Sequence, residues 1–235
     1  MKRCNTQMAV AVCLFFLATV PAFCQRGTFG FNLGETTDKF GGTNAVTGSL
    51  VDIDGQIAIL KYNPKTERPA IVVGGEIRLP TDTSNHAKEY AIFGGPEFPY
   101  HNFVFGVEAQ VHKLYLPAST VDNQIFGRDT MELLEIPVVV RYKFGTDKKW
   151  FVQAQGAPEF LPRFHTTPNS DPDLPHPNLD HGYFLRGTAG YNFGRWYAKA
   201  TYESRYFKFL ENAGNPSNLY NWKTTMVTGG IGVSF

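Results

Sequence analysis

The sequence predicts an all-β fold, an up-and-down antiparallel β-barrel of ten strands that crosses a membrane. Three observations carry this expectation. Across residues 28–235 apolar side chains recur at every second position, the spacing that puts them on one face of a strand. The stretches are joined by connections that alternate between short and long, as in barrels with short turns on one side of a membrane and loops on the other. Aromatic residues gather near the segment ends: Tyr142 with Phe144, Trp150 with Phe151, Tyr191 with Phe193, Trp196 with Tyr197, and Tyr220 with Trp222. Such rings favour the headgroup zone of a bilayer.

Ahead of the barrel, residues 1–24 have the layout of a secretory signal peptide. Basic Lys2 and Arg3 precede an apolar run over 8–20, too short to span a bilayer as a helix. Ala22 and Cys24 form a small-x-small site, so cleavage is expected after Cys24, leaving an outer barrel domain of residues 25–235. The alternative, lipid modification of Cys24, is disfavoured by the bulk of Phe23. Cys4, Cys13 and Cys24 all lie in this leader. The exported chain is therefore expected to have no thiol, which excludes a disulfide framework, a cysteine nucleophile and a thiolate metal site. Of the 22 Lys and Arg residues, Lys2 and Arg3 leave with the leader, so 20 basic residues face 21 acidic ones, a balance that suggests no nucleic-acid partner. Mean hydropathy is mildly polar at −0.23, and beyond Val20 no apolar run approaches membrane-helix length. A membrane location then requires a barrel.

Along the chain, the short connections are read at 63–66, 100–102, 145–149 and 194–195, and the long ones at 37–48, 80–87, 117–130, 165–180 and 212–218. Five long and four short connections define ten strands; joining weak segments near Gly41 or Pro96 would give eight. In the second strand Val51, Ile53, Ile57 and Ile59 oppose Asp52, Asp54 and Gln56, and in the third Ile71, Val73 and Ile77 oppose Glu76 and Arg78. In the fifth, Phe103, Phe105, Val107, Ala109 and Val111 oppose Gly106, Glu108, Gln110 and His112. In the sixth, Leu134, Ile136, Val138, Val140, Tyr142 and Phe144 oppose Glu135, Val139, Arg141 and Lys143. The last strand sets Val227, Ile231, Val233 and Phe235 against Thr224, Thr228 and Ser234. A soluble sandwich also alternates, but it requires neither alternating turn lengths nor aromatic girdles. Strand glycines such as Gly74, Gly75, Gly94, Gly95, Gly229 and Gly230 are explained by curvature and close packing without a ligand.

Period two points Asp52, Asp54, Glu76, Arg78, Glu97, Glu108, Glu135, Arg141, Lys143, Glu159, Arg186, Lys199, Glu203 and Arg205 into the barrel, with Gln56, Gln110, Gln153 and Gln155 among them. About eight strands leave an interior that side chains just fill, and about sixteen leave an aqueous channel. Ten strands sit near the filled limit, so these charges are expected to meet across the lumen and plug it.

Two segments carry a family resemblance. Residues 230–235, GIGVSF, resemble the terminal strand of Gram-negative outer-membrane proteins, and residues 131–144, MELLEIPVVVRYKF, are similar to the LEIP-type strand of the outer-membrane protein β-barrel domain family. The resemblance implies location in the cell outer membrane, contact with its lipid and lipopolysaccharide, passage through periplasmic chaperones, and delivery to the barrel-assembly machinery by a signal that includes Phe235. It implies no activity, cofactor or particular extracellular partner, because the family is a fold with diverse functions.

Searching for chemistry adds little. His112 has no serine beside it and reads as a hydrogen bonder at the outer rim, and the H-x-S-N pattern of barrel lipid A deacylases is absent. His165, Asp171, Asp173, His176, Asp180 and His181 could together hold a divalent cation, but their spacing matches no ligand loop, and a solvated loop stiffened by prolines explains them. The expectation is a structural or surface-exposed barrel without catalysis, metal or cofactor; the alternatives are a narrow porin-like channel for ions or small solutes and a lipid-modifying enzyme.

Overall fold

A computed structural model of the chain describes residues 27–41, 44–115, 130–165, 178–210 and 220–235. The expected leader and its cleavage site lie outside these residues. Ten strands follow in order: β1 (Gly27–Phe40), β2 (Val46–Leu60), β3 (Ala70–Pro80), β4 (Lys88–Tyr100), β5 (Phe103–Val107 and Ala109–Tyr115), β6 (Thr130–Glu135 and Val138–Phe144), β7 (Trp150–His165), β8 (Asn178–Phe193), β9 (Trp196–Leu210) and β10 (Tyr220–Ser234). Each pairs antiparallel with the next, and β10 pairs back onto β1, from Thr28 opposite Ser234 to Phe40 opposite Trp222. Gly27 and Phe235 complete the seam by exchanging N–H···O bonds of 2.8 and 3.0 Å. Closure gives each of the described strands a partner on both sides, which is what a sheet in hydrocarbon needs.

Two strands are interrupted at one level, and proline is the reason. Pro137 has no N–H to give the ladder, so β6 breaks there and β5 breaks opposite it at Glu108. The Glu108 N–H still donates to the Pro137 carbonyl at 3.0 Å, and Val107 opposite Val138 and Gln110 opposite Glu135 keep one register across the gap. Each interrupted pair of segments is therefore one wall strand. Pro96 sits inside β4 without breaking it, and Gly41 lies past the end of β1, so neither reduces the ring to eight.

Connection lengths differ from expectation at the first two hairpins. Strands fill most of the loop expected over 37–48, leaving residues 41–45 as the connection. Thr37 and Thr47 are β-branched and joined by hydroxyls 2.9 Å apart, so their polarity marks a strand running on beyond the apolar belt. Conversely, the turn expected over 63–66 occupies residues 61–69, where Pro64 and Pro69 interrupt pairing and an isolated Asn63–Arg68 bridge closes the excursion. The tight turn after β8 needs Gly194, whose φ of 79° suits glycine.

The outer wall is apolar. Ile92, Val111, Ile136, Leu185, Val227 and Ile231 stand exposed at its middle. Below them an aromatic belt runs through Phe103, Tyr142, Phe144, Trp150, Tyr191 and Phe193, with successive ring centroids 4.7 to 6.4 Å apart. Above them Tyr90 packs on Tyr115 and Tyr183 on Tyr206. An apolar wall of this extent would be unstable in water and fits a bilayer with its interfaces at the two rings. This is the architecture of an outer-membrane β-barrel.

Candidate functional site: the stratified lumen

Inward-facing side chains form three layers. The lowest, at the periplasmic ends of the strands, surrounds a cavity of about 250 Å³. On its β1–β2 side Asn32 Nδ2 donates to Asp52 Oδ2 and Asp54 Oδ1, both at 2.8 Å, and Lys199 reaches Asp54 from β9 at 2.5 Å. Opposite, Arg141 on β6 donates from Nε to Gln153 at 2.8 Å and lies 3.6 Å from Glu97, while Gln155 donates to Glu108 at 3.3 Å. Lys143 also lines this space. Tyr197 fits because its ring lies over Gly232, where any β-carbon would overlap it.

In the middle layer three cations and five carboxylates interlock. Arg78 bonds Glu76 from Nη2 at 2.9 Å, Glu89 from Nη1 at 2.8 Å, and both oxygens of Glu203 at 2.7 Å. Arg186 donates to Glu203 at 2.6 Å and to Glu76 at 2.8 Å. Arg205 lies 3.4 to 3.7 Å from Glu135, Glu159 and Glu203, and donates to His112 Nδ1 at 2.5 Å. His112 Nε2 is 3.2 Å from Glu89. Its Nδ1 also lies 3.4 Å from Glu135 Oε1, so the ring sits between two carboxylates and a guanidinium. The Phe184 ring lies 5.3 Å from the Arg205 guanidinium and 5.8 Å from that of Arg186, close enough for cation–π contact.

The outermost layer is apolar, which period-two reasoning did not anticipate. Leu114, Met131, Leu133, Phe207, Phe209 and Trp222 turn inward and pack together, with Phe207 stacked on Trp222 at 5.0 Å. At its margin Asp38 accepts from Trp222 Nε1 at 2.9 Å and from the Thr224 hydroxyl, and lies 2.6 Å from His86 Nδ1.

Several expectations change with these positions. His112 is buried in the ionic layer rather than placed at the rim. Asp180 and His181 belong to β8, where they contact each other at 3.0 Å and Lys208 approaches Asp180 at 3.4 Å; Asp171, Asp173 and His176 lie outside the described residues. Glu89, Asp38 and His86 were not singled out. Glu89 could have been, since it alternates with Ala91 and Phe93 against exposed Tyr90 and Ile92. His86 and Asp38 carry no local sign, because nothing near either residue indicates that the β3–β4 connection folds inward onto a β1 residue 48 positions earlier.

No family model and no curated protein matches the chain. Among solved structures it is similar to the outer membrane protease OmpT of Escherichia coli, at 10% identity over 90% of this chain and 97% of that one, with a TM-score of 0.48. It is also similar to Neisserial surface protein A, at 11% identity over 89% and 97% and a TM-score of 0.41. The outer membrane protein OprG of Pseudomonas aeruginosa matches at 10% identity over 90% and 96%, with a TM-score of 0.33. The barrel assignment rests on the closed ring of strand pairings rather than on these likenesses.

Proposed function

We propose that the chain is a structural or surface-exposed barrel of the outer membrane, without catalysis, whose lumen is sealed by its own side chains. One observation carries this reading. Arg186 on β8 bonds Glu76 on β3 at 2.8 Å, and these strands stand five places apart in a ring of ten, on opposite sides of the lumen. Arg78 and Glu203 make a second crossing beside it. Parting these pairs would leave buried charges uncompensated, so the plug also braces the wall.

Recording from purified protein in planar bilayers tests the proposal. Little or no steady conductance is expected; stable, large, ohmic channels overturn it. The periplasmic cavity favours a second reading, a narrow channel whose ionic layer opens, and the same recordings would show it as gated steps. Against a lipid-modifying enzyme stands the placement of His86 and His112, both buried inside the ring and held by carboxylates, away from the lipid-facing wall.

The proposed partners are outer-membrane lipid and lipopolysaccharide at the wall, and periplasmic chaperones and the barrel-assembly machinery during biogenesis. Phe235, at the closing seam with Gly27, is the proposed assembly signal. Deleting Phe235 should leave export intact and reduce the amount of folded barrel in the membrane fraction. Unchanged amounts, by heat-modifiable migration, would remove Phe235 from that role.

A further inference from the structure

The periplasmic rim of the barrel is basic. Its connections, residues 61–69, 101–102, 145–149 and 194–195, all fall among the described residues and carry Lys61, Lys65, Arg68, Lys148, Lys149 and Arg195 against Glu67 and Asp147. Two of these connections are neighbours. The β6–β7 turn, with Lys148 and Lys149, stands beside the β8–β9 turn, with Arg195, because β7 pairs with β8 down to Trp150 opposite Tyr191. Both turns are tied to the wall. Asn192 donates twice to the Lys149 carbonyl, from its backbone N–H at 2.8 Å and from Nδ2 at 3.1 Å, and the Ser234 N–H donates to the Arg195 carbonyl at 2.7 Å. Lys148 takes a φ of 54°, uncommon for a residue with a β-carbon, and its N–H donates to the Gly145 carbonyl at 3.1 Å. These cations are carried on fixed backbone.

The wall next to them is lined with outward-facing rings. Phe144, Trp150, Phe193 and Trp196 are exposed there, and Tyr191 packs on Trp150 at 4.7 Å. Aromatic rings of this kind settle at the level of the lipid headgroups. Lys149 directly precedes Trp150 and Arg195 directly precedes Trp196, so the basic turns lie at the depth of the lipid phosphates. Their charge is incompletely matched. Asp147 lies 3.6 Å from Lys149, while neither Lys148 nor Arg195 has an ion-pair partner among the described residues. A zwitterionic headgroup brings its own ammonium to such a surface and gains little. A headgroup of net negative charge gains from each cation left without a carboxylate.

Granted the proposed contact of the wall with membrane lipid, we propose that the periplasmic ends of β6 to β9 form a docking surface for a phospholipid of net negative charge in the periplasmic leaflet. Its phosphate would lie between Lys148 and Arg195, and its acyl chains along Trp150, Phe193 and Trp196. Charge sets the headgroup preference, and the rings set the depth.

Tryptophan quenching by brominated lipid tests this on the folded barrel in vesicles of equal parts phosphatidylethanolamine and phosphatidylglycerol, with bromine on the acyl chains of one species or the other. Trp150 and Trp196 face lipid beside the basic turns, whereas Trp222, 1% exposed and inside the ring, adds a constant background. Brominated phosphatidylglycerol should quench more, by an amount that corresponds to about fivefold enrichment at these rings, the size one surface cation supplies. High salt should shrink the difference. Combining Lys148→Gln, Lys149→Gln and Arg195→Gln should bring the two lipids to equal quenching. Lys65→Gln with Arg68→Gln, on the β2–β3 connection across the ring, should leave the preference in place. Folding of each variant is checked by heat-modifiable migration, and the preference of the unmodified barrel with its salt dependence decides the matter if a variant does not fold. Equal quenching by both lipids in the unmodified barrel, or a preference that persists in the triple variant, overturns the proposal and leaves the lipid-facing wall standing. Quenching by neither lipid overturns both.

Discussion

The periplasmic and middle layers of the lumen are built from the same residue types but hold them differently. In the middle layer the Arg78 and Arg205 side chains are 4% and 1% exposed, and each lies among three carboxylates from different strands. In the periplasmic layer the Lys199 and Arg141 side chains are 14% and 18% exposed, and each has a single carboxylate neighbour. Water reaches the lower charges and screens them; Arg78 and Arg205 above are shut away from it, and only Arg186 and Glu76 of their layer border the cavity. The middle layer therefore acts as structure, while the lower layer keeps paired charges in contact with a cavity. Depth along the barrel axis, rather than residue type, separates a brace from a cavity lining.

The largest effect expected from this contrast is at Arg78. Arg78→Ala leaves Glu76, Glu89 and Glu203 crowded without their shared cation, and removing one partner from a buried ionic group typically costs about 3–5 kcal/mol. Unfolding in urea should show a loss of that size, and planar-bilayer recordings should show a leak that the unmodified barrel lacks. Arg205→Ala should raise the leak in the same way, whereas Arg141→Ala, in the lower layer, should not. A leak from Arg141→Ala equal to that from Arg78→Ala would erase the distinction between layers.

Phe207→Ala sharpens the contrast from the other side. Removing a fully buried ring from the outer apolar layer should cost about 3 kcal/mol through lost packing. Conductance should nevertheless stay low, because the Glu76–Arg186 and Arg78–Glu203 crossings below it remain. A stable barrel that conducts after Phe207→Ala would show that the apolar layer, and not the ionic one, is the seal.

Much of the wall was legible because a strand in a barrel obeys a local rule. Alternation separates Ile53 from Asp52 and Ile77 from Glu76 wherever the next strand lies, so strand number and facing follow from short windows. Lengths were less legible. Thr37, Asp38 and Thr47 look like loop residues, yet they are strand residues: Thr37 and Thr47 join their hydroxyls across the pair, and Asp38 is held inside the ring by Trp222, Thr224 and His86. The site divides along the same line. The inward direction of Arg78 or Glu203 is local, but that Arg78 bonds Glu203, 125 residues away, depends on how the ring closes. The apolar outer layer was hidden for a further reason: parity with Glu135 and Arg205 turns Leu133 and Phe207 inward, but no short window says that such residues from different strands meet at one level and pack.

The smallest effect is expected at Lys199, and it is the most discriminating. Its ammonium meets Asp54 at 2.5 Å, a contact that on distance alone would rank with any in the middle layer. Yet Lys199 borders the cavity, and Asp54 keeps the Asn32 amide as a second partner when the lysine is removed. Partly solvated pairs of this kind typically contribute no more than about 1 kcal/mol, because water replaces much of what the partner supplied. Lys199→Ala should therefore shift the urea midpoint only slightly, and bilayer conductance should stay at the level of the unmodified barrel. A loss for Lys199→Ala as large as that for Arg78→Ala would mean that contact geometry outweighs water access, and that the two layers are one continuous network.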